Sequence, residues 1–75
     1  MAATSDEWAA KAKGHLKAEM ARVGMKHADL AAKLTEMGLP ETEGSVQVKI
    51  NRGAFPVWFL LAALSALGCS SLRLD

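Results

Sequence analysis

The stretch Ser45-Val46-Gln47-Val48-Lys49-Ile50-Asn51-Arg52-Gly53, with Lys26-His27-Ala28-Asp29-Leu30-Ala31-Ala32-Lys33-Leu34 upstream of it, decides the fold. In the downstream stretch Val46 and Ile50 recur four residues apart, the spacing of one helix face. A short helix over 45–52 follows, capped by Thr42 or Ser45 and closed by Gly53. Ser45, Gln47, Lys49 and Arg52 point away from its apolar side. In the upstream stretch Leu30, Ala31 and Leu34, with Met37 beyond, share a face of a helix over Lys26–Met37. Gly38 terminates that helix, and Pro40 prevents simple continuation.

Working outward, Trp8, Ala12, Leu16, Met20 and Val23 recur at spacings of three and four, so a first helix is expected. Ser5 or Asp6 is its expected cap, Glu7 its start and Gly24 its end. Gly14 lies inside it at a cost of about 1 kcal/mol relative to Ala, the mark of a close helix contact. Toward the C-terminus, residues 56–67 read as a fourth helix led by Pro56. Between Pro56 and Gly68 only Ser65 is polar, so periodicity offers little phase. The expected core face is Leu60, Leu61, Leu64 and Leu67, which leaves Trp58, Phe59, Ala62 and Ala66 partly outside as a surface for a partner helix. From Leu72 the tail alternates apolar and polar residues, the pattern of a short strand, which would need a partner across a two-fold axis. The predicted fold is therefore all-α, a compact bundle of four to five short helices with a short C-terminal strand. Residues 1–5 are expected to be disordered, 6–69 to form the domain and 70–75 the tail.

Composition removes several classes of function. The chain has 75 residues, a formal charge of +1, 51% apolar and 23% charged residues. Such a chain is too apolar to be disordered and too balanced to be a polycation or an acidic segment. One cysteine, Cys69, forms neither a disulfide framework nor a multi-Cys zinc site. His15 and His27 have no third or fourth ligand at chelating spacing, and the glycines form neither a phosphate loop nor a dinucleotide fingerprint. The expectation is no enzyme, no metal, no cofactor and no small-molecule substrate. Residues 1–13 carry Asp6, Glu7, Lys11 and Lys13 where a cleavable signal would be apolar. The apolar run 55–69 would reach roughly 20 Å as a helix, short of the ~30 Å bilayer core. A cytoplasmic protein with no membrane partner is the expectation.

The order of these parts resembles the λ-repressor-like family of helix-turn-helix DNA-binding domains. Carrying the resemblance are a first helix ending at Gly24, the Leu30-Ala31 pair of the second, the Arg52-Gly53 end of the third, and a Pro56-led helix ending Leu67-Gly68. It covers about residues 16–68. A closer similarity is to small bacterial proteins with the signature Lys-Ile-x-Arg-Gly-x-Phe, here Lys49-Ile50-Asn51-Arg52-Gly53-Ala54-Phe55, for which no activity is established. The chain departs from the common pattern in a longer loop over Thr35–Gly44, in Val46 where a polar residue is usual, and in Asn51 where Glu is frequent.

The resemblance implies that the third helix enters the major groove of double-stranded DNA while the second crosses the backbone. Gln47 and Arg52 would then face base edges, with Lys49 and Ser45 on phosphates. Lys26 and His27 open the second helix, where amides and positive charge favour a phosphate; His27 matches a residue that is often a backbone-contacting Gln. Glu36, Glu41 and Glu43 beside the third helix repel phosphates unless they point elsewhere. Residues 8–33 hold six Lys or Arg against Glu19 and Asp29, a modest basic cluster that also fits a solvated helix face. With so few cations a single domain would bind weakly, so a homodimeric transcriptional regulator is the expected form. The alternative is a helical protein-interaction or self-assembly module without nucleic-acid binding. Its support is the acidic loop, the near-neutral charge and the over-apolar fourth helix.

Overall fold

A computed structural model describes residues 4–72. Among them the chain forms helices α1 (Ser5–Val23), α2 (His27–Glu36), α3 (Glu43–Arg52) and α4 (Val57–Ala66). The fold is all-α, and no described residue is in a strand. Of the expected strand, Leu72 is irregular and exposed, while Arg73 and Leu74 lie outside the described residues. Of the segment 1–5, expected to be disordered, Thr4 caps α1 and Ser5 is its first residue, while residues 1–3 lie outside the described residues. Thr4, rather than Ser5 or Asp6, is the cap: its Oγ1 accepts the Glu7 N–H at 3.2 Å. Asp6 and Glu7 then occupy the positive end of the helix.

Three of the helices stop by the same device. Past α1, Gly24 N–H donates to the Ala21 carbonyl at 3.2 Å and Met25 N–H to Met20 at 2.9 Å. The pairs Gly38–Thr35 and Leu39–Leu34 repeat this after α2, and Gly68–Ser65 and Cys69–Leu64 after α4. This doubled hydrogen-bond pattern satisfies carbonyls that the helix end would leave open, and its companion is an apolar contact just past the glycine. Met25, Leu39 and Cys69 supply that contact by packing against the core. Each Gly-apolar pair in the sequence thus encodes both a stop and a return of the chain to the interior.

The core consists of Leu16 and Met20 from α1, Leu30, Ala31 and Leu34 from α2, Val46 and Ile50 from α3, and Phe59, Ala63, Leu64, Ala66 and Leu67 from α4 and its end. Among the described residues no polar or charged residue is fully buried with them, although the Glu41 side chain is nearly enclosed at its edge. The most extensive helix pair is α2 with α3, where Ala31 allows close approach. Gly53, which ends α3 with φ +64°, has a second role against α1. A Cβ placed on it would stand 2.3 Å from the Ala9 carbonyl oxygen, so the two backbones meet there with no room for a side chain.

The expected phase of α4 is wrong by about one residue. Phe59 is fully buried and Ala66 nearly so, while Leu61 is 62% exposed. A helix apolar all round carries no periodic signal, so its phase is set by its neighbours. Phe59 enters the core and stacks at 5.6 Å on Phe55, which also packs against the interior. Burying the large ring in place of Leu61 removes more apolar area from water. Trp8 and Val23, expected on the buried stripe of α1, are exposed as well.

Candidate nucleic-acid interface

Of the three carboxylates expected beside α3, Glu36 ends α2, Glu43 opens α3, and only Glu41 lies in the loop between them. Thr35 Oγ1 donates to the Ala31 carbonyl at 2.9 Å and accepts the Glu41 N–H at 3.2 Å, fixing the loop to the end of α2. The Glu41 carboxylate turns toward α3. It accepts from Lys49 Nζ at 2.8 and 2.7 Å and from Ser45 Oγ at 2.6 Å. Only 4% of the Glu41 side chain is exposed, against 33% for Lys49. Burial pushes the Glu41 carboxyl upward, but the Lys49 and Ser45 hydrogen bonds and the Lys49 charge outweigh it and hold the group below its ordinary value.

Ser45 does further work at the start of α3. Thr42 Oγ1 accepts the Ser45 N–H at 3.1 Å, and Ser45 Oγ accepts the Thr42 N–H at 2.8 Å, a reciprocal cap. Lys49 Nζ also lies 5.4 Å from the centre of the Phe59 ring, so one ammonium ties the loop, α3 and α4 together. Two residues expected on DNA, Ser45 and Lys49, are therefore held within the fold. The cause is helical geometry: 41, 45 and 49 are successive fours, and the flank of α3 that carries 45 and 49 faces the loop. The Glu-x-x-x-Ser-x-x-x-Lys spacing was the available signal in the sequence. It went unread because Glu41 precedes the helix.

The opposite side of α3 is open. Gln47 and Arg52 are exposed as expected, together with Gly44, Asn51 and Val48. None of these five residues is acidic, but exposed Glu43 lies one turn before Gln47 on the same flank. Asn51 and Val48 were not among the candidates, since they flank the polar positions that drew attention.

At the start of α2, Lys26 is exposed, and its N–H donates to Asp29 Oδ2 at 2.9 Å. His27 is half-buried, and its Nε2 is enclosed without a hydrogen-bond partner. Both residues line a groove of about 580 Å³ with Lys17, Met25, Asp29 and Glu43. Glu43 thus faces the junction of α1 and α2. In the basic segment Arg22 Nε pairs with Glu19 at 2.7 Å, and Lys11 Nζ sits 4.7 Å over the Trp8 ring.

The expected partner face of α4 changes membership. Phe59 and Ala66 belong to the core, because the helix is rotated to bury the Phe59 ring. Ala62 is half-buried, and Trp58 remains 52% exposed. The large apolar residues that do reach solvent on α4 are Val57, Trp58 and Leu61; Trp8 of α1 is exposed too, as are Val23, Met37, Val48 and Leu72 elsewhere. Leu60 and Leu72 line two adjoining clefts, one with Trp8 and His15, the other with Leu61 and Cys69. The Cys69 thiol donates to the Ser71 carbonyl at 2.8 Å. Among the described residues no group of three or more His, Cys, Asp or Glu is placed to hold a metal ion. No described helix is long and apolar enough to cross a membrane.

These features define a small all-α domain in which α3 and an over-apolar α4 present different surfaces. The chain belongs to the DUF6471 family, a domain of unknown function whose model matches residues 8–72. No curated protein and no solved structure matches it.

Proposed function

We propose that the chain is a helix-turn-helix DNA-binding protein, a small homodimeric transcriptional regulator that lays α3 in the major groove. The observation that carries this reading is the inward turn of Glu41. With that carboxylate neutralised by Lys49, the exposed side of α3 offers Gln47, Asn51 and Arg52, and Glu43 in the first turn is its one exposed carboxylate. Phosphates are then met by Arg52 at the end of α3 and by Lys26 at the start of α2, whose exposure supports that role. Lys49 and Ser45 position α3 and do not contact DNA, and half-buried His27 sits behind Lys26. The λ-repressor-like arrangement is part of this proposal, as are a cytoplasmic location and the absence of catalysis.

Dimerisation in this proposal uses Trp8, Val57, Trp58 and Leu61, whose exposed apolar area is costly on a monomer. The same surface favours a second reading, an assembly module that binds no nucleic acid. Fluorescence anisotropy with mixed-sequence duplex DNA at low and physiological salt separates the two. DNA binding predicts affinity that falls steeply with salt, and the Arg52→Ala variant should reduce the log–log salt slope by about one. Absence of binding at low salt, with the protein still self-associated, would establish the assembly module instead.

A further inference from the structure

We infer that the open side of α3 reads A·T base pairs, with Gln47 and Asn51 as amide readers of adenine and Val48 as the contact for the thymine methyl. The inference rests on the DNA-binding reading above and specifies its target. Val46 and Ile50 fix the buried side of α3. Opposite them, at ~100° per residue, come Gly44, Val48 and Asn51, with Gln47 on the adjoining flank one turn after Glu43 and one turn before Asn51.

Two residues on this side have no explanation within the fold. Val48 is 53% exposed, although a β-branched residue gains nothing from an exposed helix position. Gly44 lies in the first turn of α3, where it costs up to about 1 kcal/mol relative to Ala. Nothing in the chain requires its small size, since an added Cβ would meet no atom nearer than Thr42 Oγ1 at 3.9 Å. A glycine that no internal contact demands, one turn before an exposed valine, leaves α3 room to approach a flat partner closely. The edges of stacked base pairs are such a surface.

The flanking side chains then set which edges. Gln47 and Asn51 are four apart, one turn along the same side, and each carboxamide offers one donor and one acceptor. That pair matches the N7 acceptor and N6 donor of adenine, whereas guanine presents two acceptors and suits Arg or Lys. Val48 lies beside both, and its methyl groups match the thymine C5-methyl, which cytosine lacks. Arg52, one turn beyond Val48, reaches the phosphates at the edge of the groove.

The test uses the full chain and synthetic duplexes. Selection from a random-core duplex pool should enrich adjacent A·T pairs. Replacing thymine by uracil in the selected site removes only the methyl group and should weaken wild-type binding about fourfold, while leaving Val48→Ala unaffected. Asn51→Ala and Gln47→Ala should each relax the A·T preference by about tenfold at one position, with unchanged melting temperatures confirming intact folds. Equal binding of all sequences, or enrichment of G·C pairs, would overturn this inference and leave DNA binding standing. Failure to bind any duplex at low salt would remove both.

Discussion

Gly53 and Gly24 offer a matched pair of perturbations that tests the α1–α3 contact directly. Both end a helix with left-handed backbone, φ +64° and +72°. Alanine at either position incurs the same conformational penalty, roughly 1–2 kcal/mol. At Gly24 nothing lies within 4 Å of an added Cβ, so that penalty is the whole effect. At Gly53 the Cβ would stand 2.3 Å from the Ala9 oxygen and 2.8 Å from its carbonyl carbon. Ordinary contact begins near ~3.5 Å, so α1 and α3 must separate by about 1 Å. Forcing such a shift in a packed interior costs a further ~1–3 kcal/mol. For a domain of this size each 1 kcal/mol lowers the melting temperature by about 4–8 °C. Far-UV circular dichroism melts should therefore show Gly53→Ala roughly 1.5 to 4 times as destabilised as Gly24→Ala. Asparagine sharpens the comparison, because it tolerates left-handed backbone but still carries a Cβ. Gly24→Asn should be nearly silent and Gly53→Asn severe. Equal losses for the two alanine variants would refute the close approach of α3 to Ala9.

Further outcomes follow from the loop network and the apolar surface. Glu41→Gln should cost about 1–3 kcal/mol in urea denaturation at neutral pH, because it leaves the Lys49 ammonium without its carboxylate. The acid limb supplies the sign. A carboxyl held below its ordinary value of 4.5 adds stability above that pH, lost as pH falls through its folded value. Wild type should thus lose stability below about pH 4.5 faster than Glu41→Gln, and parallel acid limbs would show the pair to be solvated. Thr42→Ala removes the cap of α3 and should cost about 1 kcal/mol with no change in self-association. Leu61→Asp should reduce the solution mass measured by light scattering while the helical signal persists. Phe59→Ala should instead lower stability by about 3–5 kcal/mol through a core cavity. A dimer that survives Leu61→Asp and Trp58→Asp together would exclude this surface as the interface.

Much of the fold was legible because helix boundaries are written locally. Gly-Met at 24, Gly-Leu at 38 and Gly-Cys at 68 mark the stops, and Leu16, Leu30, Leu34, Val46 and Ile50 fall on the faces their spacing requires. At these positions the apolar residues alternate with polar ones, so the period has a phase. The candidate site was legible only in residue type. Gln47, Arg52 and Lys26 reach solvent as their places on the helices imply. Lys49 and Ser45 are half-buried against Glu41, which comes from an irregular loop whose path no periodicity describes.

The sequence by itself therefore determined the all-α class, the approximate ends of the four helices among the four to five expected, and the division of α2 and α3 into apolar and polar sides. Those properties follow from interactions within a few residues, caps, glycine stops and i to i+4 spacing. Tertiary structure decided the rest. It chose Phe59 over Leu61 for the interior, because only packing against α1–α3 can set the phase of a helix that is apolar all round. It made Gly53 a contact with Ala9, a meeting of residues far apart in the chain. And it turned Glu41 inward to Lys49, which makes one carboxylate of the acidic stretch a clasp that holds α3 in place while Glu36 and Glu43 stay exposed.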